Sequence, residues 1–161
     1  MNIFKENDIS INQVKFSKKP ISIPASYRPV YKITLILIII YYTGRGGKCS
    51  LLKLHFISYF LKDAILMDEL VNSLEGEENL FTYFSWSIEP SLIRALRLAL
   101  ADDFIVEKEG NYVISDKGNI FLKKVLTNID ILILEKDTLK KIGKTKINDF
   151  KIEKYIKERS Y

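Results

Sequence analysis

Hydrophobic and polar positions divide this chain into blocks of different period. The densest apolar block is Pro29-Val-Tyr-Lys-Ile-Thr-Leu-Ile-Leu-Ile-Ile-Ile-Tyr-Tyr42, which has no polar face. Its length, Pro29 at the first helical position and the Gly44 stop predict a helix buried on most sides; its isoleucines also allow a buried strand. A membrane span needs about 20 apolar residues, and this run is bounded by Lys32 and by Thr43-Gly-Arg-Gly-Gly-Lys48. Next comes a glycine-rich turn with Ser50 placed to cap a helix over 50–61, whose Leu51, Leu54, Ile57 (or Ser58) and Leu61 are expected to face inward. Asp63 is placed to cap a further helix, Ala64 to Leu74, with Ile65, Leu66 and Leu70 apolar. The acidic stretch 75–79 reads as a solvated loop, and the aromatic run Leu80-Phe-Thr-Tyr-Phe-Ser-Trp-Ser-Ile88 as a strand.

The most regular pattern lies in residues 90–124. Pro90 opens a helix in which Leu92, Ile93, Leu96, Ala99 and Leu100 share a face, with Ser91, Arg94 and Arg97 three apart beside it. Asp102-Asp103 ends it. Phe104 to Ser115 then alternates as a hairpin around Glu109-Gly110-Asn111, and Ser115 is placed to cap a helix through Val125. A helix feeding a two-stranded hairpin is how a winged helix-turn-helix ends. The strand at 80–88 is expected to pair with this hairpin. After a break at 127–130, Ile131, Leu132, Leu134, Leu139 and Ile142 predict a helix ending at Gly143, and 152–157 forms a last charged stretch. At the other end, Pro20, Pro24 and Pro29 rule out a continuous helix and leave residues 1–28 as an extended arm or a poorly ordered terminus.

The expected fold is therefore mainly α with a small β-sheet, an α+β chain of 161 residues. It comprises an arm (1–28), a winged-helix domain (29–128) and a C-terminal helical extension (129–161). Such additions commonly dock another protein.

Charge changes this picture. The net charge is +5, but residues 1–30 carry five Lys/Arg against two acids, 31–134 eleven against thirteen, and 135–161 nine against five. A stand-alone DNA reader concentrates positive charge on its recognition helix and wing. Here Glu107 and Glu109 oppose Lys108 in the hairpin.

Candidate chemistry is sparse. One cysteine, Cys49, excludes an internal disulfide and suits a reducing cytosol, and His55 is the only histidine. No cleavable signal pattern opens the chain, so a cytoplasmic location is expected. The string Thr43-Gly-Arg-Gly-Gly-Lys-Cys-Ser50 fails the Walker spacing, because only two residues lie between Gly44 and Gly47 and Cys49 separates Lys48 from Ser50. No catalytic residue, metal site or cofactor is expected. Arg45, Lys48, Arg94 and Arg97 are candidates for contact with DNA or an acidic partner. Trp86, Leu139, Ile142, Phe150 and Tyr155 are candidates for a protein interface, with a core role the alternative for Trp86.

Arg28-Pro29-Val-Tyr31 with its apolar helix, the string Gly44-Arg-Gly-Gly-Lys-Cys-Ser-Leu-Leu-Lys-Leu-His55 and the hairpin half together resemble the small middle components of ABC-three-component systems over residues 28–126. The resemblance implies a small protein working with an SMC-like ABC ATPase and a variable effector, often a nuclease, in bacterial defences against phage and plasmids such as Lamassu. It supplies no catalytic motif. The implied role is an adaptor, with DNA met mainly through the complex and no membrane involved. A homodimeric winged-helix transcriptional regulator, with Ser91, Arg94 and Arg97 in the major groove, is the alternative.

Overall fold

Helix α1 (Pro29–Thr43) forms the centre of the molecule. Its residues Leu35 to Ile40 are all fully buried, which a helix without a polar face requires. Each such leucine or isoleucine contributes about 1.5–3 kcal/mol on transfer from water. The computed structural model describes residue 24 and residues 28–76 and 89–157. The arm up to residue 23, the expected strand at 80–88 and Trp86 lie outside the described residues.

Around α1 stand β1 (Lys48–Ser50), α2 (Leu51–Phe60), α3 (Ala64–Glu75), α4 (Pro90–Ala101), β2 (Ile105–Lys108), β3 (Asn111–Ile114), α5 (Asp116–Thr127), α6 (Ile133–Ile142) and α7 (Asp149–Lys157). The chain is mainly helical with one small antiparallel sheet, ordered β1-β3-β2 among the described residues. Helices α2, α4, α5 and α6 pack on α1, and α7 packs on α2.

Three helices start where local chemistry places them. Ser50 Oγ accepts the Lys53 N–H at 3.1 Å, Asp63 Oδ1 the Leu66 N–H at 3.0 Å and Ser115 Oγ the Gly118 N–H at 3.0 Å. Two buried lysines act at the opposite ends. Lys53 Nζ donates to the Thr43 carbonyl at 2.6 Å, and Lys136 Nζ to the Val125 and Asn128 carbonyls at 2.6 and 2.8 Å. Each ammonium meets the negative end of a helix dipole and orphan carbonyls, which offsets the cost of burying it.

The hairpin turns on Glu109 and Gly110, with φ of 54° and 73°. Two positive φ values in a two-residue loop match the right-handed twist of the strands it joins. Beyond β3, Gly118 lies so close to the Phe104 carbonyl and to Ile114 Cγ2 that a Cβ there would collide with both. The glycine therefore lets α5 close on the hairpin.

The structure corrects two expectations. The turn after Gly44 is in part a strand: Lys48, Cys49 and Ser50 pair with Val113, Tyr112 and Asn111. β1, which ends 30 residues before Leu80 in the chain, thus lies beside the hairpin on its β3 edge. Leu51, expected to face inward, is exposed, because the inward face there is set by Leu54, Ile57 and Leu61; on α3 Met67 and Leu70 are buried and Ile65 is exposed. The helical extension from 129 onward also contributes to the core. Leu139 and Ile142 are 0% and 1% exposed, and α6 packs against α1 and α3. The core is continuous across the expected boundary at 128, because α1 is apolar on every side and α6 covers one of them.

Candidate functional site

A cleft with several charged lining residues lies where α4 begins. Tyr31 and Lys32 of α1, Lys62 after α2, and Glu89, Ser91, Arg94 and Leu98 line a space of about 610 Å³. Lys32 Nζ and Glu89 Oε1 are 2.7 Å apart, with side chains 3% and 19% exposed. The Ser91 hydroxyl donates to Glu89 Oε1 at 2.5 Å, and the Ser58 hydroxyl to Oε2 at 3.4 Å. Burial alone would raise the Glu89 carboxyl; the hydrogen bonds from Lys32 and Ser91 and the Lys32 charge outweigh it and hold it below the usual carboxylate range. Tyr31 OH donates to Glu135 Oε1 at 3.0 Å, and its phenol is raised by burial and then by the Glu135 charge.

These groups neutralise one another, so the floor of the cleft is a structural ion pair. The rim is cationic through Lys62 and Arg94, both exposed. Neither Lys32 nor Glu89 was singled out from sequence. A lone lysine inside an otherwise apolar helix is the signal that an acid must meet it, although nothing local says which acid.

The expected contact residues fall in three settings. Arg94 and Arg97 are exposed on α4, a turn apart, with Arg94 at the cleft. Arg45 and Lys48 face each other across the Gly46-Gly47 turn. Lys48 Nζ lies 2.9 Å from Glu109 Oε2, so the hairpin tip carries paired charge. That pair is solvated and contributes little to stability.

Of the expected interface residues, Leu139 and Ile142 are part of the core and present no surface. Tyr155 is half-buried and stacks on Phe56 at 6.5 Å between ring centroids. Phe150 is 76% exposed at the start of α7. It adjoins Asp149, whose Oδ1 accepts the Ser50 hydroxyl at 2.6 Å and so ties α7 to α2.

Other reactive types are enclosed. The Cys49 thiol is buried and pushed up to about 12 by desolvation, against a smaller lowering by Lys53. His55 is buried on α2, and desolvation depresses its imidazole while the Glu89 charge opposes this. No group of three His, Cys, Asp or Glu side chains converges among the described residues. None of the described helices is long and apolar enough to cross a membrane.

Sequence reasoning missed one surface. Val30, Tyr31, Thr34, Phe121, Lys124, Val125, Ile131 and Leu132 line an open groove of about 600 Å³ between the start of α1, the end of α5 and the turn into α6. Its signal in sequence is the run Ile129-Asp-Ile-Leu-Ile-Leu134, which is more apolar than one buried helix face needs.

Comparison with protein-family models, with curated proteins and with solved structures finds no match to this chain.

Proposed function

We propose that this chain is a non-catalytic adaptor built on a winged helix-turn-helix. In this reading it links an SMC-like ABC ATPase to an effector, such as a nuclease, in a cytoplasmic bacterial complex directed against phage and plasmids. It restrains the effector until foreign DNA is sensed. The order α1-β1-α2-α3-α4-β2-β3 and the sheet order β1-β3-β2 support the winged-helix part, with α4 in the position of the recognition helix and β2-β3 as the wing. The resemblance of residues 28–126 to middle components supports the setting.

The observation that carries the adaptor role is the exposed aliphatic surface. Val30 at 67%, Ile129 at 80% and Leu134 at 61% stand in solvent in a chain this small. Partner proteins cover such surface; nucleic acid does not require it. Co-expression of the tagged chain with its flanking genes tests the reading. Retention of a large ATPase at high salt is expected, and recovery of the chain alone would reject it.

A second reading has one observation in its favour. Arg94 and Arg97 lie exposed on α4 without an acid between them, as a DNA-reading homodimer would need. Salt-sensitive retention of the purified chain on its own upstream DNA, lost in Arg94→Glu with Arg97→Glu, would favour that regulator.

A further inference from the structure

We draw no further inference here: the strongest candidate, the open apolar groove between the start of α1, the end of α5 and the turn into α6, carries none, because nothing in the structure shows what covers it and the positive charge of Lys124 at its rim is offset by Glu135 and Asp130.

Discussion

Lys32 and Glu89 meet at 2.7 Å, across a separation of 57 residues, and pin the start of α4 to the first turn of α1. A lysine buried in the first turn of an isoleucine-rich helix is stable only because this carboxylate reaches it. Removing one partner leaves a buried charge uncompensated. Lys32→Met or Glu89→Gln is expected to cost roughly 3 kcal/mol, while the double change to methionine recovers most of that loss. Urea unfolding of the two single variants and the double variant checks the coupling. Additive losses would place the two residues in separate roles.

Acid should loosen the same region in two steps. Glu89 titrates below its ordinary value of 4.5, so its contribution is present above that value and is lost as pH falls through the lower folded one. His55 titrates below its ordinary 6.5 because burial opposes the charged imidazole. An unfolded chain thus takes up that proton more readily, and stability declines as pH falls below 6.5. Thermal midpoints from pH 8 to pH 4 are expected to fall first near 6.5, and His55→Asn to flatten that first part only. A midpoint unchanged between pH 7 and pH 5 would contradict the sign.

Replacing a helical glycine by alanine ordinarily gains about 1 kcal/mol. At Gly118 the opposite is expected, because the new methyl meets the Phe104 carbonyl and Ile114 Cγ2. Gly118→Ala should lose roughly 1–3 kcal/mol, as overpacked sites do. The measurement is a denaturant midpoint, and a gain in stability would mean that α5 is free to move off the hairpin.

Leu134 and Leu139 lie on the same helix and test where the core ends. Leu139 is fully buried against α1 and α3, and Leu139→Ala is expected to cost about 3 kcal/mol. Leu134 is exposed, and Leu134→Ala is expected to stay within about 0.5 kcal/mol. Equal small effects from both would show that α6 adds little to the core.

The contrast between those two leucines shows what was legible. Ser50, Asp63 and Ser115 each cap a helix through an N–H three residues on, so a short stretch of sequence contains both partners. The helix of Pro90–Ala101 and the hairpin around Glu109-Gly110 are likewise set by local period and turn chemistry, while the helix of Pro29–Thr43 is marked by its proline start, its length and the glycine that follows. The strand Lys48–Ser50 was not legible, because three residues carry no period and their pairing with Asn111–Val113 is made some 60 residues away.

The sequence by itself determined the kinds of elements, most of their starts and the uneven charge of the two ends. Only the tertiary structure decided that Glu89 answers Lys32, that Leu139 and Ile142 face inward while Val30 and Leu134 face out, and that Lys48 spends its charge on Glu109. The reason is one of range. Hydrogen bonds to a neighbouring turn are encoded within a few residues, whereas burial and ion pairing depend on which distant element arrives, and α1, apolar on every side, states no preference among them.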